Sequence, residues 1–293
     1  MYKPRRTRTV ESDIWLATEV CEAFMAFAGT APTGPSSAGS EIGRGKSCSV
    51  RKQCEEAMKT AIIIGVGPDR GLGAQLCKRF AANGLKVIVA GRTKSTVEAV
   101  AKDIASSGGQ AVPIVADATN EADTVALFDY AGTEIDLAIY NAGNNTPGRV
   151  VEMDAEYFER SWRVVCFGGF LFGREAIRRM LPKGTGTLLF TGASASLRGR
   201  PGYGAFNSSK AALRALAQAM AKEYASDGIH IGHVVVDGAI AGEKIFQRFP
   251  DAASREDALV SIEGIVDAFA FLYRQPQRAW SFEVDVRTSR EKW

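Results

Sequence analysis

From residue 59 onward, short apolar runs alternate with longer stretches in which apolar residues recur every three or four positions. The runs at 61–64, 86–90, 111–116, 135–140, 187–191, 230–236 and 281–286 are apolar nearly throughout. Unbroken apolar runs predict strands buried on both faces, as in a parallel sheet. The stretches at 72–82, 95–106, 121–130, 155–180, 205–225 and 262–274 carry the helical period and predict the covering helices. Seven strands alternating with six helices predict an α/β fold: a doubly wound parallel seven-stranded sheet with helices on both faces, in a single domain.

Two segments depart from this rhythm. Residues 238–261 show no clear period and follow a strand end, where ligands bind in such sheets, so they are a candidate substrate lid. Residues 1–57 precede the pattern, and 28–46 are rich in Gly, Ser, Pro and Thr. That composition predicts a flexible or weakly ordered N-terminal extension. Within it, Trp15, Val20, Phe24 and Phe27 fit one face of a short amphipathic helix. The folded domain is therefore expected to span 58–293, with 1–57 dispensable for folding.

Composition narrows the function classes. The 293 residues are 46% hydrophobic and 24% charged, enough to build a sizeable core. A formal net charge of +3 is too mild for a nucleic-acid binder, and 1–57 hold 8 Lys and Arg against 7 Asp and Glu. Cys21, Cys48, Cys54, Cys77 and Cys166 are scattered, and His230 and His233 are the only histidines, so neither a zinc site nor a disulfide framework is expected. The stretch 14–28 comes nearest to a membrane span, but Glu19 and Glu22 interrupt it. With Asp13, the same acids argue against a secretory or transit peptide despite the basic start at Lys3, Arg5, Arg6 and Arg8. The expected location is cytoplasmic, with reduced thiols.

Chemistry enters at Ala61-Ile-Ile-Ile-Gly-Val-Gly-Pro-Asp-Arg-Gly-Leu-Gly73. An apolar strand, a glycine turn and a helix in succession place unpaired N–H groups and the positive end of a helix dipole where a pyrophosphate can rest. The spacing Gly67-x-x-x-Gly71-Leu72-Gly73 resembles the short-chain dehydrogenase/reductase family, and the resemblance runs from about residue 58 to the end of the chain. It implies a Rossmann-type sheet that binds NAD(P). Val66 stands where that family usually has Thr. Asp117 after the third strand resembles the residue that contacts adenine, and Asn141-Ala142-Gly143 after the fourth matches the family's Asn-Ala-Gly segment. Arg92 follows the second strand, where NAD sites place an acid; an arginine there suits a 2′-phosphate. Arg70 is a second candidate for that phosphate, so NADP(H) is the expected cofactor, with NAD(H) possible.

The resemblance weakens at the catalytic positions. The family works with Asn, Ser, Tyr and Lys, and the Tyr-x-x-x-Lys segment falls on Phe206-Asn-Ser-Ser-Lys210. Lys210 matches, but Phe206 has no exchangeable proton. The Ser position falls on Ala193, with Ser194 beside it, the Asn position on Val165, and the usual Pro-Gly on Asp237-Gly238. Tyr203, seven residues before Lys210, has the spacing of the enoyl-reducing branch and is a candidate substitute; the alternative is a loop tyrosine at the surface or a subunit contact. Ser194 and Ser196 either donate to a substrate oxygen or lie in a polar loop. Arg198 and Arg200 read as a solvated loop face or as attraction for an anionic substrate, Asp237 as an orienting group or a turn cap, and the two histidines as structural.

Two functions remain open. One is an NADP(H)-dependent oxidoreductase acting on a small carbonyl, alcohol or conjugated enoyl compound, with Lys210, Tyr203 and Ser194 as its catalytic candidates. The other is a cofactor-binding protein without redox turnover, a sensor or scaffold. The family's two long helices, here 155–180 and 205–225 with many small residues, imply a homodimer or homotetramer.

Overall fold

The computed structural model describes residues 58–291. The expected N-terminal extension and its amphipathic helix lie outside the described residues.

Seven parallel strands form one sheet: β1 (Thr60–Ile64), β2 (Lys86–Gly91), β3 (Ala111–Val115), β4 (Ile135–Tyr140), β5 (Gly186–Thr191), β6 (Ile229–Asp237) and β7 (Glu283–Arg287). Their order is β3-β2-β1-β4-β5-β6-β7. The helices between them are α1 (Leu72–Ala82), α2 (Lys94–Ser106), α3 (Glu121–Ala131), α4 (Ala155–Trp162), α5 (Gly168–Met180), α6 (Gly204–Tyr224), α7 (Glu243–Arg248) and α8 (Ile262–Arg274). This is the doubly wound sheet that the apolar runs predict, with strand ends shifted by one or two residues.

Alternation along β1 shows how the layers form. Ala61 and Ile63 point into a core shared with Leu76 and Phe80 of α1, Val97 and Ile104 of α2, and Phe269 and Leu272 of α8. Ile62 and Ile64 point the other way, against Phe128 of α3, Phe172 of α5 and Leu213 of α6. A central strand buried on both sides is apolar on both faces, as Ala61 to Ile64 are, and all five β1 residues are buried.

The helical period at 155–180 predicts one continuous helix, but the structure divides it. A π-helical turn, Arg163–Phe167, separates α4 from α5. Such a turn loosens the regular backbone ladder, and the buried Tyr140 hydroxyl donates to the Val164 carbonyl across 2.5 Å. A Cβ on Gly168 would lie 2.3 Å from that hydroxyl, so glycine is what admits the tyrosine. The period does not reveal this, because the Tyr140 that contacts the turn comes from β4, outside the segment.

The aperiodic segment after β6 is folded. It holds α7 and a 3-10 stretch (Pro250–Ala258), and a bridge pairs Ile240 with Val260 at its base.

Strand order reverses between β1 and β4, and a crevice opens there beyond the strands' C-terminal ends. The glycine turn leaves β1 on one side of it, and Asn141-Ala142-Gly143 leaves β4 on the other.

Candidate functional site

The crevice is a cavity of about 1160 Å³ lined from the glycine turn at one end to Lys210, Phe206 and Tyr203 at the other, and α7 also lines it, its first amide bonded to the Arg70 carbonyl. At the first end, backbone makes the surface. Gly65 adopts φ +87°, and a Cβ there would lie 2.4 Å from the Ala142 amide nitrogen. A Cβ on Gly91 would lie 2.8 Å from the Val66 carbonyl. Only glycine lets the turns after β1, β2 and β4 approach this closely. Asn141 ties them together: its Nδ2 donates to the Gly65 carbonyl at 3.1 Å, and its Oδ1 accepts from Thr191 Oγ1 at 2.9 Å.

Helix α1 opens onto the cavity without a side-chain cap at Gly71 and without an acid in its first turn. Its first N–H groups are left for an outside acceptor. Nothing lies within 4 Å of where a Gly67 Cβ would stand, so that turn faces open space in the cavity wall. Uncapped amides, a glycine cradle and open volume fit a dinucleotide diphosphate.

The sequence candidates for the cofactor largely converge. Gly67, Gly71, Leu72, Gly73, Arg92, Asp117, Asn141, Ala142, Gly143 and Lys210 all line the cavity. Asp117 is partly engaged, since its Oδ1 accepts from the Thr119 amide and hydroxyl, each at 2.8 Å. Arg70 stands apart: it is exposed and does not line the cavity, although its carbonyl accepts from the Glu243 amide at 3.4 Å.

At the other end, side chains make the surface. Lys210 is only 4% exposed, and burial lowers its ammonium pKa to about 8. Its Nζ donates to the Thr191 carbonyl at 2.7 Å, and a Cβ on Gly143 would come within 3.7 Å of it. The Phe206 ring centroid lies 5.9 Å from the same nitrogen, so an apolar ring lines the wall one helical turn before the lysine. Ala193 also lines the cavity, whereas Val165 is buried within the π turn. Neither offers a proton. Tyr203 and Ser194 do line the cavity, and Tyr203 stands at the N-terminus of α6 with the Arg200 guanidinium 5.0 Å from its ring centroid.

A chain of groups, buried at Ser196 and His233, supports the turn that carries Ala193 and Ser194. The Ala193 amide donates to Ser196 Oγ at 3.2 Å, and that hydroxyl lies 3.4 Å from His233 Nε2. His233 Nδ1 meets Glu283 at 2.9 Å, and Arg214 makes two bonds to the same carboxylate at 2.6 and 2.9 Å. Burial alone would raise the Glu283 pKa; the bonds from His233 and Arg214 outweigh it and bring it to about 2. Burial lowers the His233 pKa. Nδ1–H donating to Glu283 is therefore the consistent tautomer, with Nε2 left to accept from Ser196. His230 instead stacks on Trp280 at a centroid distance of 4.8 Å, away from the cavity wall.

Sequence reasoning missed one ion pair. Asp237, 1% exposed at the end of β6, is held by Arg198 at 2.8 and 3.0 Å. Arg198 is thus not simply a solvated loop residue, nor is Asp237 a turn cap. A charge ending an otherwise apolar strand was the available signal, because a buried carboxylate requires a partner.

A profile of the short chain dehydrogenase family matches residues 59–243. The chain belongs to that family. Among curated relatives it is 30% identical over 200 residues to the uncharacterized oxidoreductase YuxG of Bacillus subtilis, covering 66% of this chain and 29% of that protein. It is 26% identical to a 3-oxoacyl-[acyl-carrier-protein] reductase of a Synechocystis species, covering 78% of this chain and 97% of the relative. A solved short-chain dehydrogenase from Rhodopseudomonas palustris is 35% identical, with a TM-score of 0.66, over 78% of this chain and 98% of the other. The fold is thus the NAD(P)-binding Rossmann-type fold of that family. No helix among the described residues is long and apolar enough to cross a membrane, and none of their His, Cys, Asp and Glu side chains gather in threes that could hold a metal.

Proposed function

We propose that this short-chain dehydrogenase is an NADP(H)-dependent oxidoreductase acting on a small carbonyl, alcohol or conjugated enoyl compound through a rearranged donor set. The buried Lys210 ammonium carries the reading, because it lies against Gly143 and Thr191 in the wall of a cavity whose far end suits a diphosphate. A bound nicotinamide cofactor supplies or accepts the hydride. Gly67, Gly71, Leu72 and Gly73 present backbone to the diphosphate, Asn141, Ala142 and Gly143 allow close approach to the ribose, and Asp117 meets the adenine. Lys210 holds the nicotinamide ribose with the N–H groups that Thr191 does not use.

Arg92 supports the NADP(H) preference. It lines the cavity just past Gly91, where no carboxylate repels a 2′-phosphate. Tyr203 and Ser194 remain the hydroxyls able to meet a substrate oxygen where Phe206 and Ala193 cannot. Exposed Val150, Val151, Phe158, Trp162 and Phe170, around α4 and α5, support assembly as a homodimer or homotetramer.

Fluorescence titration is expected to show NADPH binding at least about tenfold tighter than NADH, and Arg92→Ala should erase most of that gap while leaving NADH unchanged. Oxidation of NADPH is expected against a panel of aldehydes, ketones and enoyl thioesters. Firm NADPH binding with no turnover anywhere in the panel would overturn the oxidoreductase reading and leave a binding protein. Equal affinity for the two cofactors would overturn the NADP(H) preference.

A further inference from the structure

We propose that Lys210 is also a covalent capture site: in the chain without cofactor, its amine condenses with a small aldehyde in the cavity to form an imine. Capture itself follows from the geometry around Nζ. Competition with the cofactor rests on reading the nicotinamide ribose against the same lysine.

An imine-forming lysine needs an amine that gives up its proton near neutral pH and a path for a carbonyl carbon. Lys210 is 4% exposed, yet it contributes to the cavity wall. Its Nζ donates to the Thr191 carbonyl at 2.7 Å, which fixes the nitrogen but brings no negative charge. Among the described residues no carboxylate lies within 4.0 Å of it. A lysine buried without a counter-ion loses its proton easily. The ammonium pKa is accordingly lowered to about 8, and at that pH much of the side chain is free amine.

Gly143 supplies the path. It is exposed and lines the cavity. The point where its Cβ would stand is vacant, and the atoms nearest that point are Lys210 Nζ at 3.7 Å, Lys210 Cε at 3.9 Å and Val165 Cγ2 at 4.0 Å. A carbon atom therefore fits against the nitrogen at ordinary contact distance, with no side chain displaced. Val165 on the π turn edges this approach, and the Phe206 ring centroid lies 5.9 Å from Nζ. Two apolar side chains there suit a short alkyl aldehyde better than a charged one. In the reaction the Nζ lone pair bonds the carbonyl carbon, and the C=O π pair moves to oxygen, which takes the proton that nitrogen sheds. The C–O bond of this carbinolamine then breaks as nitrogen forms C=N, and the hydroxyl leaves with a second nitrogen proton as water. Amine and aldehyde become imine and water, with nothing oxidised or reduced.

The test treats the full-length chain, free of cofactor at pH 8, with propanal and sodium cyanoborohydride, which reduces an imine to a stable secondary amine. Peptide mapping by mass spectrometry then reads the propyl label at each lysine. Lys210 should be labelled at least about tenfold faster than any other lysine. Saturating NADPH should slow labelling at Lys210 by at least about tenfold and leave the other lysines unchanged. Gly143→Ala, which fills the vacant point beside Nζ at ordinary contact distance, should slow Lys210 severalfold while the melting temperature holds. Labelling of Lys210 no faster than that of the other lysines, or a Lys210 rate unchanged in Gly143→Ala, overturns the inference. Fast labelling of Lys210 that NADPH does not slow keeps the capture site and overturns instead the placement of the nicotinamide ribose at this lysine.

Discussion

The two ends of one cavity are built by different means. At the nucleotide end the surface is backbone: Gly65, Gly71 and Gly91 bring three strand ends together and leave the α1 amides uncapped. At the other end it is side chains, with Lys210, Phe206, Ala193, Ser194 and Tyr203 in the lining. A diphosphate site made of amides tolerates change in side chains that do not enter it. A surface made of side chains changes its chemistry with single substitutions, and in the function proposed above Phe206 is such a position. The cofactor can thus stay fixed while the chemistry at the other end is reassigned.

The strongest challenge to that contrast is Tyr203→Phe. If Tyr203 has taken over at the reaction end, kcat for NADPH oxidation should fall about 10²-fold or more, while the NADPH dissociation constant stays within about twofold. An unchanged kcat removes Tyr203 from the site. Gly67→Leu probes the opposite end. With nothing within 4 Å of the Cβ position, the side chain enters only the space a diphosphate needs. NADPH affinity should drop about tenfold or more and the melting temperature of the free chain should hold. A drop in melting temperature with affinity retained shows that the turn serves packing alone. The smallest effect concerns the scaffold of the reaction end. Glu283→Gln should cost about 1–2 kcal/mol at neutral pH, since it weakens the partner of His233 and Arg214 at a partly exposed site. The wild-type advantage should vanish as pH falls from about 4.5 toward about 2, because the folded state holds this carboxylate ionised and the unfolded chain does not. Urea unfolding of both chains across that range measures it, and parallel curves would show that Glu283 adds nothing.

Legibility in the sequence follows the same divide. The glycine turn, Asn141-Ala142-Gly143 and Lys210 are local signals, set by chain geometry within a few residues, and the fold places them all on one cavity. The pair Arg198 and Asp237 spans 39 residues, and the link from Ser196 through His233 to Glu283 reaches across two neighbouring strand pairs. No local pattern encodes such partners, because the sheet order that makes β5, β6 and β7 neighbours is a property of the whole chain. Arg70 shows the converse: a plausible position in the motif, but a side chain that does not reach the cavity wall.

By itself the sequence determined the doubly wound class and the glycine turn that follows its first strand. Those depend on periodicity and on residue types at fixed spacing, which are local. Only the tertiary structure decided that the helix predicted over 155–180 is interrupted by a π turn under Tyr140, that Arg198 is tethered to a buried aspartate, and that α7 adds Lys244 and Arg248 to the cavity lining. The reason is physical: burial, desolvation and ion pairing act between groups distant in the chain, and they exist only once the layers have packed.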